Sequence, residues 1–342
     1  MFKRTSIAAQ ITLKFLCAAS VAVIASVMIW FAPGDYNHDL AALVNKRDLM
    51  TSKKPPRILL IGGSNLATLD SSLIEREINR AGDLNYSVVN MGLWAGLSVR
   101  SYLDEIEPHL RPGDIVVICQ EYATLLNKKH IEYIQENREA DKFYFLMSPE
   151  EHALGSLRRG NVCGLMEHIV LLNQLKMKTY LHVIIDGDFA HRFTGGYYRY
   201  ARDYNPFGDR KKPFKVIRPL SGGVQCEEPD VRNLAYLISF NERARGKKIR
   251  VYFLFPPFPD REFRLCEGPI TSLYNSIREN INLKILNTPI GSVYPETCFA
   301  DTVNHLRPEC EKNRTAALIE SLRHVVSQDA ESHSFMELLK AE

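Results

Sequence analysis

Apolar residues in this chain fall into short continuous runs separated by stretches with helical spacing. Residues 57–62 (RILLIG) form such a run. Leu66, Leu69, Leu73, Ile74 and Ile78 follow at helical intervals, which predicts a strand, a turn and a helix. The alternation continues with strands at 86–90 (YSVVN) and 114–119 (DIVVIC) around a helix at 97–109. Later come strands at 250–255 (RVYFLF) and 283–286 (LKIL), with helices near 230–246 and 269–280. A closing helix over 308–326 is apolar at Leu318, Ile319, Leu322, Val325 and Val326. Continuous apolar strands that alternate with helices predict a doubly wound parallel α/β sheet, with ligands at the carboxyl ends of its strands. Residues 122–228 are too long for a simple crossover and carry helical stretches around 148–180, which predicts a helical and loop insertion. There is no internal repeat.

The amino end has a different pattern. No charge occurs from Phe15 to Ala32, Lys3, Arg4 and Lys14 precede the run, and Pro33-Gly34-Asp35 ends it. As a helix it reaches about 27 Å, close to the hydrocarbon thickness of a bilayer. Trp30 stands where an interfacial aromatic belongs. Residues 1–33 are therefore expected to be a signal-anchor, a single transmembrane helix. A cleaved signal peptide is the competing reading, for which Trp30-Phe31-Ala32 offers a poor small-x-small site. Lys46, Arg47, Lys53 and Lys54 follow almost as densely as the basic residues precede, so orientation rests on the short basic tail staying inside while the large domain is exported. This places the domain on the extracytoplasmic, periplasmic side of the cytoplasmic membrane. Residues 34–56 read as a polar linker ending in Pro55-Pro56, 57–328 as the folded domain, and 329–342 as a polar tail.

The chain has 342 residues, 45% of them hydrophobic, enough to bury a sizeable core. Forty-three Lys and Arg against 40 Asp and Glu leave +3, without the clustered excess of a nucleic-acid binder. Of the 7 cysteines, Cys298 and Cys310 are the first pair to join in an oxidising compartment. Reduced, buried cysteines are the alternative. No spacing of Cys and His suggests a metal site, and no cofactor is expected.

Candidate chemistry begins at Gly62-Gly63-Ser64-Asn65, a serine in a glycine-rich turn at the end of the first strand. Free backbone N–H groups at a helix start can hold an oxyanion forming beside Ser64, starting with the Ser64 amide. Ser at such a place also serves as a plain helix cap. The stretch Asp301-Thr302-Val303-Asn304-His305-Leu306 precedes the last helix. An imidazole takes a serine proton and a nearby carboxylate holds it in the right tautomer, so Ser64, His305 and Asp301 are the candidate catalytic residues.

These blocks resemble the SGNH, or GDSL-like, hydrolase superfamily over residues 57–125 and 248–326. Asn90-Met91-Gly92 looks like that superfamily's glycine block, which implies the Gly92 amide as a second oxyanion donor. Two departures stand out. Gly63 takes the place of a typical Asp, and Cys119-Gln120-Glu121 stands where Gly-x-Asn is expected. Gln120 or Glu121 occupies the asparagine's place, and sequence alone assigns its role to neither. The D-x-x-x-H-L form of the Asp301 block and Phe255-Pro256-Pro257 are similar to the membrane-anchored, cell-envelope branch of polysaccharide O-acetylation and teichoic-acid D-alanylation proteins.

Between His191 and Arg218, aromatic residues such as Tyr197, Tyr198 and Phe214 interleave with Arg199, Arg210 and Lys212. Rings pack against sugar faces and cations meet carboxylates or phosphates. Tyr197, Tyr198, Arg199 and Asn65 are therefore candidate substrate contacts. The resemblance implies a flavodoxin-like SGNH fold and a membrane-anchored serine esterase or O-acyltransferase acting on an acylated envelope polysaccharide or glycolipid. A non-catalytic accessory protein that binds polysaccharide or a membrane-bound acyltransferase is the alternative. A soluble lipase released by signal cleavage is a third reading.

Overall fold

A computed structural model describes residues 7–31, 38–80, 85–93, 99–126, 203–221, 223, 226–229, 231–281 and 283–341. The chain divides into two compact units, one of residues 1–41 and 141–199, the other of 42–140 and 200–342. In the first, α1 (Ile7–Phe31) runs through the apolar segment, and Ile11, Phe15, Leu16 and Val21 on it are exposed. Among the described residues, no helix is long and apolar enough to cross a membrane.

The second unit is built on a five-stranded, all-parallel sheet. Its strands are β1 (Arg57–Gly62), β2 (Ser87–Asn90), β3 (Ile115–Cys119), β4 (Arg250–Phe253) and, as the last edge, Lys284–Ile285. That edge strand is β6 in chain order, after a short β5 (Phe258–Pro259) that pairs in parallel with β7 (Val293–Tyr294) in a small second sheet. The main order is β2-β1-β3-β4-β6. Helices α3 (Ser71–Arg80), α4 (Val99–Ile106), α5 (Tyr122–Leu126), α6 (Val231–Gly246), α7 (Asp260–Asn275) and α8 (Pro308–Ala341) alternate with the strands. This is the α/β layering expected from the sequence, and in this strand order the ligand crevice opens between β1 and β3.

Both faces of the central strands are buried, which explains their continuous apolar runs. Ile58, Leu60, Val88, Ile115, Val117 and Tyr252 form one core cluster with Ile74 and Ile78 of α3 and Leu318, Leu322 and Val326 of α8. Leu59, Ile61, Val116, Ile118 and Phe253 are buried on the opposite face. Arg57 and Asp114, at the amino ends of β1 and β3, make a buried ion pair at 2.6 Å, and Arg57 also donates to the carbonyls of Met50 and His109. Each of the three guanidinium nitrogens has an acceptor, as a charge at 1% exposure requires.

Three boundaries differ from expectation. The linker expected over 34–56 contains α2 (His38–Ser52), which buries Leu43, Lys46 and Met50. The Lys46 ammonium donates to the carbonyls of Asn90, Gly92 and Gly208 at 3.0, 2.7 and 2.7 Å, and Arg47 pairs with Glu105 at 2.7 Å. Cations that read as a solvated flank are thus part of the folded unit. Helix α7 starts at Asp260 rather than near 269 and carries Pro269 inside it. Helix α8 continues through the tail to Ala341. Of the insertion expected over 122–228, the structure describes α5 and residues 203–229 in large part.

Candidate active site

The site lies at the carboxyl ends of β1 and β3. After β1 the chain makes a single 3-10 turn, Ser64–Leu66, and α3 begins only at Ser71. The expected helix directly after the serine is therefore one short turn, so a helix dipole adds little at Ser64. Gly63 caps this turn without a side-chain bond, and the Ser64 hydroxyl faces the site instead of capping it.

The Asp301 block forms a loop closed at both ends. Phe299 bridges to Leu306, the Ala300 amide donates to the His305 carbonyl at 2.8 Å, and a disulfide joins Cys298 to Cys310 in the first turn of α8. Phe299, Ala300, Val303 and Leu306 are buried and fix the loop to the core. The cysteine pair chosen from spacing is therefore bridged; a second disulfide joins Cys226 to Cys266. Cys119 is a free, buried thiol, and Cys163 lies outside the described residues.

The loop brings His305 and Asp301 to Ser64. The Ser64 Oγ lies 2.7 Å from His305 Nε2, and His305 Nδ1 lies 2.7 Å from Asp301 Oδ1. Burial pushes the His305 imidazole below its ordinary value of 6.5; the bond to Asp301 opposes this and the Arg210 charge adds to it. A neutral imidazole with Nδ1–H donating to Asp301 leaves Nε2 free to accept the serine proton.

A strap over residues 203–221 runs beside this loop. Ile217 donates its amide to the Ala300 carbonyl, Ser221 donates amide and hydroxyl to the Asp301 carbonyl, and Arg218 reaches the carbonyls of Phe299 and Ala300. The Phe214 ring lies on the His305 ring with centroids 3.6 Å apart, and the Arg210 guanidinium lies over Phe214 at 4.5 Å. Asp209, buried, ties the strap to Ser71 and Asn90. Sequence reading named Phe214 and Arg210 as part of an aromatic and basic surface; it carried no signal that one of them caps the imidazole.

The expected oxyanion donors are engaged within the protein. The Gly92 amide donates to Asn90 Oδ1 at 2.8 Å, and the Asn90 carboxamide is held in turn by the Leu66 carbonyl and Asp209. The Ser64 and Asn65 amides both donate to the Glu121 carboxyl group, Asn65 at 3.3 Å. Asn65 itself is 1% exposed and directs its side chain at the Cys119 carbonyl and sulfur. Tyr197, Tyr198 and Arg199 lie outside the described residues.

Glu121 was not assigned a role from sequence. Its Oε1 lies 3.1 Å from the Ser64 Oγ, and its Oε2 accepts from Asn304 Nδ2 at 2.8 Å. It is 2% exposed, and among the described residues no ion pair involves it. Burial raises its carboxyl from the ordinary 4.5 to about 7. A β-carbon built on Gly63 would approach Glu121 Oε1 to 2.4 Å, so the missing side chain at 63 is what leaves room for this carboxyl. The two departures from the SGNH pattern thus meet at one point. Gln120, also buried, has no hydrogen-bond partner for either of its side-chain atoms among the described residues.

Among the described residues, no group of three His, Cys, Asp or Glu side chains is placed to hold a metal ion. Comparison of the chain with protein-family models and with curated proteins finds no match to either.

Proposed function

We propose that the chain is a serine esterase or O-acyltransferase of the SGNH type, anchored in the cytoplasmic membrane and acting on an acylated envelope polysaccharide or glycolipid. The observation that carries this reading is the relay from Ser64 through His305 to Asp301, with both contacts at 2.7 Å, at the strand ends where the sheet order opens a crevice. Ser64 attacks the ester carbonyl as its proton passes to His305 Nε2. His305 returns that proton to the departing alcohol, and Asp301 holds the imidazole and offsets its transient charge. Water as the second substrate gives an esterase; a sugar hydroxyl gives a transferase.

The uncharged run and the exposed apolar side chains of α1 support the anchor. The disulfides Cys226–Cys266 and Cys298–Cys310 fit an oxidising, extracytoplasmic compartment. The engagement of Lys46 and Arg47 within the folded unit removes two cations from the flank after α1 and favours the orientation with Lys3, Arg4 and Lys14 inside.

One observation favours the accessory reading. The Ser64, Asn65 and Gly92 amides are all bonded within the protein, so a ligand must displace a partner to use them. Fluorophosphonate labelling of the full chain in detergent, wild type beside Ser64→Ala and His305→Ala, separates the two. Labelling of wild type alone supports the enzyme. A folded wild type that does not label supports a binding protein.

A further inference from the structure

The Ser64 hydroxyl has one proton and two acceptors within reach, His305 Nε2 at 2.7 Å and Glu121 Oε1 at 3.1 Å. One of these contacts must therefore be donated by the other side. Either His305 is an imidazolium facing a Glu121 carboxylate, or His305 is neutral and Glu121 is a carboxylic acid. The two states hold the same number of protons, and the surroundings choose between them.

Glu121 projects from the end of β3 into a pocket made by three elements. The 3-10 turn after β1 supplies the Ser64 hydroxyl and the Ser64 and Asn65 amides; the loop before α8 supplies the Asn304 carboxamide, with His305 beyond Ser64. From α8 the field of Arg314 reaches it, but that guanidinium is already spent on Glu311, the Asn65 carbonyl and the Cys119 sulfur. No cation touches the carboxyl among the described residues, and a buried carboxylate without one favours its neutral form. Burial acts on His305 in the same sense, toward the uncharged ring. Both groups therefore settle in the neutral pair, with His305 as base and Glu121 as acid.

This proposal rests on the esterase reading above. We propose that Glu121 is a catalytic residue that works as a neutral carboxylic acid and donates a hydrogen bond to the substrate oxyanion, filling the place of the asparagine that the resembled pattern has after β3. The carboxyl already sits on the Ser64 and Asn65 amides, which marks the spot where an oxyanion bound to Ser64 would lie, and a modest swing of the side chain lets a carbonyl oxygen enter beside it. In the attack step the Ser64 oxygen bonds to the carbonyl carbon, the carbonyl electron pair moves to oxygen, and the serine proton goes to His305. Glu121 keeps its own proton and shares it with the new oxyanion. A carboxylate at that place would repel the same charge, so the step needs Glu121 protonated. Asn304 donates to the other carboxyl oxygen, Oε2, which leaves the single acidic proton to Oε1, the oxygen that faces Ser64.

The test is the pH profile of p-nitrophenyl acetate turnover by the full chain in detergent, with fluorophosphonate labelling as a control for the esterase reading. Wild type is expected to lose kcat/KM above about pH 7 as Glu121 ionises. Glu121→Gln keeps a donor that does not titrate, so it loses this alkaline limb and exceeds wild type roughly tenfold at pH 8. Glu121→Ala, if it folds, loses about a hundredfold in kcat at every pH with little change in KM. An alkaline limb that persists unchanged in Glu121→Gln overturns the proposal while the esterase reading stands. Turnover that rises in both variants at all pH values overturns it too, since the carboxyl would then merely obstruct the site. A folded wild type that neither labels nor turns over overturns both readings.

Discussion

Phe214 lies flat on the His305 imidazole, with ring centroids 3.6 Å apart and planes 4° from parallel. The ring covers one face of the base and withholds water from it, while the Arg210 guanidinium covers the far face of Phe214. The cover and the nearby cation both hold the imidazole below its ordinary value. The same aromatic face attracts the imidazolium that forms during the reaction, a contribution on the order of 1 kcal/mol.

Phe214 therefore does two things that substitution can separate. Phe214→Leu keeps much of the apolar cover and loses the aromatic face, and we expect kcat to fall severalfold with the acid limb of the pH profile little moved. Phe214→Ala loses both, so the acid limb should move up toward 6.5 as water reaches the ring. Kinetics between pH 5 and 8 decide this. Identical limbs in wild type and Phe214→Ala would mean that the ring does not govern the base.

A buried acid without a cation also leaves a mark on stability. The Glu121 carboxyl is raised from 4.5 to about 7 by burial, so between those values the folded protein holds a proton that the unfolded chain has released. Stability from this group is thus greatest below about pH 4.5 and declines as pH rises through about 7. The integrated loss is on the order of 3 kcal/mol. Glu121→Gln removes the dependence and should melt several degrees above wild type at pH 8, with a much smaller difference at pH 5. Calorimetry at the two pH values reads this directly, and an equal difference at both would show that Glu121 does not titrate in that range.

How much of this was legible in the sequence follows from how each group is buried. Strands β1 and β3 are covered on both faces, and their unbroken apolar runs announce it. Ser64 and the Asp301 block could be paired from their residue types, because each stands next to a glycine turn or a proline helix start. Residues 34–56 read as a linker because they are polar, carry basic pairs and end in Pro55-Pro56, and one of those basic residues, Lys46, is of a type normally solvated. What makes that burial possible is three carbonyls from distant segments, which no local pattern contains. Glu121 was opaque for the same reason. Its burial depends on the bare α-carbon of Gly63 and on Asn304, 58 residues before it and 183 after it in the chain. The helix expected near 269–280 begins at Asp260 and carries Pro269 within it, a residue that local pattern places at helix starts rather than interiors.

The Lys46 ammonium joins α2 to the two segments that frame the site, the loop at Asn90 and Gly92 and the strap at Gly208. Lys46→Met preserves the stem and removes the donors, leaving three buried carbonyl contacts unmade. A loss of about 2–3 kcal/mol is expected, with slower fluorophosphonate labelling as the Gly92 loop relaxes. Denaturant unfolding gives the first quantity and labelling rates the second. A loss under about 0.5 kcal/mol would show that water replaces the ammonium without cost.

The Cys298–Cys310 bridge closes the loop that carries both Asp301 and His305, with a sequence separation of 12. In the chain-entropy account such a loop stabilises the folded state by about 3 kcal/mol. Here it also restrains the loop that sets the 2.7 Å contact between His305 and Ser64. Replacing both cysteines by serine should lower the melting temperature and should also cut kcat at temperatures where the protein stays folded, because the base is less often in place. The Cys226–Cys266 bridge, remote in sequence from that loop, supplies the control: its double serine variant should lower stability without a comparable fall in kcat. Comparing kcat in the two double variants at 15 °C, well below melting, distinguishes restraint of the site from general stabilisation. Equal kcat in both would mean that the buried contacts of Phe299, Val303 and Leu306 hold the loop by themselves.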